Sequence, residues 1–238
     1  MHVIEFQGLA KWYGSQEAVK PLSLIVPRGT VFSFLGPQGA GKTTTLRMMM
    51  GILVPSAGRV LVDGHDCQAD AAKVKRRVGY LPDVPVFYDF LRGHEILRFA
   101  AEMHGLSRHE AQVRSDRLLA ELGLEAAAGD FAVDHSLGMK KKLALACALI
   151  HEPAVLILDE PTDGLDARAA LAVQERLLAE AARGTTVLVS TRSRDMAERI
   201  SDQVGILHRG SLMATGSPDQ VRAAMGMTDD VAEAVCTA

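Results

Sequence analysis

The sequence predicts an α/β protein with a mostly parallel core sheet, and three observations carry that expectation. Short apolar runs rich in β-branched residues alternate with helical patterns through the second half of the chain. A glycine-rich turn joins one such run, Val31 to Leu35, to a helical pattern. A third run, Val155 to Leu158, closes on two adjacent carboxylates, Asp159 and Glu160. With 238 residues, 48% of them apolar and 23% charged, the chain has material for one large domain or one domain with a subdomain.

The first third reads as strands and turns. Val3 to Phe6, Leu22 to Val26, Val31 to Leu35 and Val60 to Val62 are separated by turn signals at Gly14, Pro27-Arg28-Gly29, Pro55 to Gly58 and Asp63-Gly64. A helix is expected over Lys42 to Gly51, its Met48-Met49-Met50 packing on the sheet. The middle, from about Gly93 to Glu125, changes period: Ile96, Phe99, Ala100 and Met103 recur at three- and four-residue spacing, as do Leu118, Leu119 and Leu122. This is a helical insert. Beyond it come a helix (Leu143 to Ile150), a buried strand (Val155 to Leu158), a helix (Ala167 to Ala182), a strand (Thr186 to Ser190), a helix (Asp195 to Ile200) and a short strand near Gly205 to Leu207. The expected boundaries are one domain over 1–225, its helical subdomain at about 88–150, and a tail at 226–238.

Several classes fall away. The 26 basic and 29 acidic residues leave a net charge of −3, which offers no footprint for nonspecific nucleic-acid binding. The longest apolar run, Leu143 to Ile150, is far short of the roughly 18 residues needed to cross a bilayer. The first eleven residues carry Glu5 and Gln7 and lack a signal-peptide pattern, so a cytoplasmic chain is expected. Cys67, Cys147 and Cys236 are odd in number and widely spaced, which argues for thiols rather than a disulfide framework or a zinc site. Of the scattered histidines, His104 and His109 are the nearest pair and give no metal pattern.

Gly36-Pro37-Gln38-Gly39-Ala40-Gly41-Lys42-Thr43, followed by Thr44, matches GxxxxGK[ST] directly between the strand and the helix. Glycines let backbone N–H groups turn in around phosphate oxygens, and the helix N-terminus adds a positive dipole end. Lys42 is placed to bridge the outer phosphates, and the Thr43 hydroxyl to ligate magnesium. Chance coincidence of the four fixed positions is about 1% in a chain this long. Asp159 is placed to hold magnesium and Glu160 to polarise an attacking water. The chain contains no Asn, so the NKxD motif of guanine recognition is absent and ATP is the expected nucleotide.

His135-Ser136-Leu137-Gly138-Met139-Lys140, seventeen residues after whose Lys142 comes Asp159, is similar to the signature loop LSGGQ in a looser SxGM form. On these residues the chain resembles the ATP-binding subunit of an ABC transporter, of the two-component exporter type, from about Val3 to Val221. The resemblance implies a P-loop NTPase with an N-terminal antiparallel β subdomain and a helical insert. It also implies that Ser136 and Gly138 touch the γ-phosphate of an ATP held by a second ATP-binding subunit, a second copy or a paralogue. Tyr13 resembles the aromatic that stacks on adenine, and Gly164-Leu165-Asp166 the loop that meets the opposing subunit. Val78-Gly79-Tyr80-Leu81-Pro82 resembles the run into the loop that couples nucleotide to the membrane partner. The apolar Val84 to Leu91 segment is where a separate transmembrane permease is expected to dock, which would place the chain at the cytoplasmic face of a membrane.

Two positions depart from the family pattern. Asp83 stands where a Gln is usual; it can approach magnesium but cannot donate a hydrogen bond to water as an amide does. Arg192, with Arg194 as the neighbouring candidate, stands where a His is usual and stays protonated at any working pH. Slow or altered hydrolysis is therefore expected, with changed product release. A near-inactive regulatory cassette and a soluble cassette protein without a permease are the competing readings. Lys140-Lys141-Lys142 at the start of the signature helix reads as a solvated basic face, the alternative being that these lysines add to the attraction of the opposing subunit's nucleotide.

Overall fold

The computed structural model describes residues 2–225; the expected tail at 226–238, with Cys236, lies outside the described residues. Strands β1 (His2–Tyr13), β2 (Gln16–Pro27), β4 (Ala57–Val62) and β5 (His65–Asp66) form an antiparallel sheet in the order β2-β1-β4-β5. The first two are twelve residues each, much longer than the apolar runs that mark them. The reason lies in the four register shifts of this pairing, two of which fall between Phe6 and Leu9 and between Leu9 and Lys11. An inserted residue moves the buried face from Ile4 and Phe6 to Leu9, so alternation breaks while the strand continues.

The second sheet has six strands: β3 (Val31–Leu35), β6 (Val78–Leu81), β7 (Val155–Asp159), β8 (Thr186–Thr191), β9 (Gln203–His208) and β10 (Ser211–Gly216). Their order is β10-β9-β3-β8-β7-β6, parallel throughout except for the antiparallel β9–β10 pair. β3, β7 and β8 are buried along their whole length, so both faces demand apolar residues and the runs are continuous. Helix α1 (Lys42–Met49) joins the two sheets. Met48, Met49 and the following Met50 pack with Phe6, Phe32, Phe34 and Val60 in one core cluster.

Helix α2 (Ala71–Arg77) precedes β6 and has Val74 as its buried residue, too weak a period to be foreseen. α3 (Gly93–Met103), α4 (Arg108–Glu121) and α5 (Leu137–Leu149) pack on one another, and α5 also packs on β6. The buried face of α3 differs from the expected one: Ile96, Leu97 and Ala101 face inward, while Phe99 (50% exposed) and Met103 (71%) face out. Leu118, Leu119 and Leu122 are buried as expected. α5 starts six residues earlier than its apolar run, because the Ser136 hydroxyl caps it by accepting the Met139 N–H at 3.2 Å. α6 (Ala167–Ala182), α7 (Arg194–Ile200) and α8 (Pro218–Met225) complete the described chain. His104 does not meet His109; its ring stacks on His151 with 3.5 Å between centroids.

Candidate nucleotide site

The phosphate cradle begins where β3 ends. At Gly36 an added Cβ would stand 2.1 Å from the Leu207 carbonyl oxygen of β9, so the loop passes this neighbour only as glycine. Gly41, at φ 101°, precedes α1 in the left-handed region, and a Cβ there would come within 2.6 Å of the Ala18 carbonyl. Lys42, buried, donates from Nζ to the Gly36 carbonyl at 2.6 Å and to that of Pro37 at 3.1 Å. Its ammonium also lies 3.4 Å from the Glu160 carboxylate. Burial lowers the Lys42 pKa, with Glu160 opposing.

Asp159 ends β7 with no exposed surface. Its Oδ1 accepts a hydrogen bond from the Ser190 hydroxyl of β8, while Oδ2 has no partner. Glu160 follows at φ 45°, unusual for a residue with a side chain. The Ser190 carbonyl accepts its N–H at 3.0 Å. Its carboxylate accepts the Arg192 N–H at 3.1 Å and lies 3.6 Å from the Arg192 guanidinium. Burial raises the Glu160 pKa, with Lys42 and then Arg192 opposing. Arg192 also pairs with Asp163 at 3.1 Å, whereas Arg194 donates to Glu198 at 2.8 Å, so Arg192 is the arginine of the site.

Tyr13, Gln38, Gly39, Ala40, Gly41, Lys42, Thr43, Thr44, Asp83, Glu160 and Arg192 line one cavity of about 690 Å³. Gly36 and Asp159 do not themselves line it, and Glu17 and Arg209 join the lining unforeseen. The donor set suits a hard divalent cation: Asp159 has a buried carboxylate oxygen without a protein partner, and Thr43 lines the cavity. No group of three or more His, Cys, Asp or Glu capable of holding a metal occurs among the described residues. Magnesium takes one or two protein ligands and completes its shell with phosphate and water, which suits a carboxylate and a hydroxyl donor.

Ser136, Gly138 and Asp166 are not brought into this cavity. They line a second one of about 320 Å³ with Leu137, Met139, Gly164 and Leu165. Asp166 caps α6 by accepting the Ala169 N–H at 2.8 Å.

Besides Glu17 and Arg209, two residues behind the site escaped sequence reasoning. Ser190 carries a signal, as a polar residue in a strand otherwise read as apolar. Lys141 carries none. It is not part of a solvated basic face: it is 2% exposed, while Lys140 and Lys142 are half-buried. Successive helical residues turn by about 100°, so of three identical lysines only the middle one points inward.

The ABC transporter family model matches residues 19–163. The chain belongs to the ABC transporter family. It is similar to the probable multidrug ABC transporter ATP-binding protein YbhF of Escherichia coli, 38% identical over 93% of this chain but only 38% of that protein's length. The daunorubicin resistance ATP-binding protein DrrA3 of Streptomyces coeruleorubidus is 38% identical over 94% of this chain and 71% of its own. A solved structure of the ATP-binding subunit of an ABC transporter superposes with a TM-score of 0.89 at 34% identity, covering 98% of this chain and 99% of that one. The chain accordingly carries the ATP-binding cassette of this family, on a P-loop NTPase fold with an antiparallel N-terminal sheet and packed helices.

Proposed function

We propose that this ABC subunit hydrolyses ATP at composite sites formed by two cassettes and thereby drives a separate membrane permease. The supporting observation is the division of the candidate residues between two cavities. Lys42, Glu160 and Arg192 line one; Ser136, Gly138 and Asp166 line the other. Each half needs a partner's complementary half, whether a second copy or a paralogue. The domain boundaries at 1–225 and 88–150 belong to the same reading.

Backbone N–H groups from Gly36 to Thr44 and the Lys42 ammonium hold the phosphates, and Tyr13, half exposed at the cavity edge, stacks on adenine. Thr43 and Asp159 would hold the magnesium, and Asp83, on the cavity wall, would be a further oxygen donor to it. When bound, the ion neutralises charge that develops on the phosphates. A phosphate that takes up Lys42 draws it from Glu160. The carboxylate, its proton affinity raised by burial, is then free to accept a proton from the attacking water. Arg192 holds the γ-phosphate with a fixed charge and delays release of products.

Among the described residues no helix is long and apolar enough to cross a membrane. Val86 (85% exposed) and Phe90 (86%), with Val84 and Tyr88, form an apolar row on the loop beyond Asp83. Phe87 packs against the core instead. A row of this kind suits a hydrophobic segment of a permease. The test is Glu160→Gln with ATP and magnesium on a sizing column. A dimer is expected, and a variant that stays monomeric overturns the shared site. A parent turnover no higher than that of Glu160→Gln would instead support a regulatory cassette.

A further inference from the structure

Lys141 lies outside both cavities, yet its side chain reaches the reaction centre from behind. It enters from the second turn of α5 and is 2% exposed. Its Nζ donates to the backbone carbonyl of Glu160 at 2.6 Å and lies 3.7 Å from Asp83 Oδ1. A buried ammonium persists only where acceptors meet it, and these two are the partners found. Neither belongs to α5. One is the main chain of the proposed base, and the other opens the loop that carries Val86 and Phe90.

The Glu160 backbone sits in the left-handed region without being glycine, a conformation that survives only when its surroundings over-determine it. Ser190 accepts its N–H from one side, and Lys141 donates to its carbonyl from the other. These two bonds set the direction in which the carboxylate leaves the chain, toward Lys42 and Arg192. The same ammonium lies 3.7 Å from the half-exposed Asp83 carboxylate.

We propose that Lys141 is a positioning residue for hydrolysis. It holds the Glu160 peptide in its left-handed conformation and, through Asp83, ties the signature helix α5 to the loop bearing the exposed apolar row. The inference rests on the reading of Glu160 as the base. It assigns Lys141 no contact with ATP, so its loss acts on turnover and not on nucleotide affinity.

The experiment uses the full chain and compares Lys141→Met, Lys141→Arg, Asp83→Asn and the Lys141→Met/Asp83→Asn double variant. It measures steady-state kcat and ATP dissociation constants from equilibrium dialysis, with Glu160→Gln as the blank. Lys141→Met is expected to lower kcat at least tenfold with the ATP dissociation constant within threefold of the parent. Lys141→Arg, which keeps the charge and donors, is expected to restore most of the rate. Asp83→Asn is expected to have at least a threefold smaller effect in the Lys141→Met background than alone. If Lys141→Met does not fold, Lys141→Gln replaces it in every comparison, with the same expectations. A kcat within twofold of the parent, a parallel loss of ATP affinity, or full independence of the two substitutions overturns the proposal. A parent no faster than Glu160→Gln overturns the reading of Glu160 as well, which sets that failure apart.

Discussion

Replacing Ser190 by alanine tests whether the Asp159 carboxylate is held as a buried charge. The Ser190 hydroxyl is the one hydrogen-bond donor found on this fully buried carboxylate, whose second oxygen has no partner among the described residues. The backbone carbonyl of Ser190, which accepts the Glu160 N–H, survives the substitution. The change removes the charge-assisted bond to Asp159, a kind that contributes about 1.5–3 kcal/mol, together with a longer 3.3 Å contact in which the Ser190 hydroxyl oxygen accepts the Glu160 N–H. Ser33 supplies the control, since on buried β3 its hydroxyl shares a neutral bond of 2.6 Å with that of Ser201. Ser33→Ala is expected to lose about 1 kcal/mol, and Ser190→Ala about 2 kcal/mol. Urea unfolding followed by circular dichroism, in EDTA and without nucleotide, measures both as midpoint shifts at constant slope. The half-saturating magnesium concentration for ATP turnover should also rise, by about threefold to tenfold, which corresponds to roughly 0.7–1.4 kcal/mol of ligand orientation. Equal losses in the two alanine variants, together with an unchanged magnesium requirement, would refute the reasoning.

Three further expectations concern the site, the loop and acid stability. Arg192→His removes a fixed positive charge that opposes the burial-raised pKa of Glu160, so the acid limb of the turnover profile should move to higher pH and ADP should bind more weakly; a variant matching the parent in rate, ADP affinity and profile sinks this role. Val86→Asp with Phe90→Asp should abolish co-purification with a membrane fraction while leaving the unfolding midpoint unchanged, since both side chains are exposed. The His151 pKa is lowered to about 4 by burial first, then by the stacked His104 ring and by Arg114. Because the unfolded chain takes up this proton below about pH 6.5, the stability is complete above that pH and is lost as pH falls toward 4. The full displacement is worth about 3 kcal/mol, and solvent screening at the partly exposed ring reduces it to about 1–2 kcal/mol. Unfolding at pH 7 and pH 4.5 should show the difference in the parent and lack it in His151→Gln; identical slopes count against it.

Legibility from sequence followed the number of constraints on each residue. The bounds of β3 and α6 coincide with expectation, because a doubly buried strand and a capped helix with a long apolar stripe each have a single consistent placement. β1 was legible only to Phe6, where its register shift breaks the alternation. The start of α5 was hidden by a first turn without apolar period, and the inward face of α3 by two apolar residues, Phe99 and Met103, that point outward. The second error arises because periodicity records that a face is apolar but not what covers it.

The chemistry of this protein was determined by the chain itself. A phosphate cradle, an Asp-Glu pair and a signature loop each depend on residue types at short spacing, and local spacing survives in any fold that forms the elements. The convergence of those parts was decided by the sheet order. β8 lies between β3 and β7, and so places Ser190 against Asp159 and Arg192 beside Glu160, residues about thirty positions apart. Only the packing of α5 on β6 distinguishes Lys141 from its two neighbours and carries it to Glu160 and Asp83. The helical phase of a lysine is a rotation about an axis, and the partner surface that gives this rotation a meaning exists only once the sheet has formed.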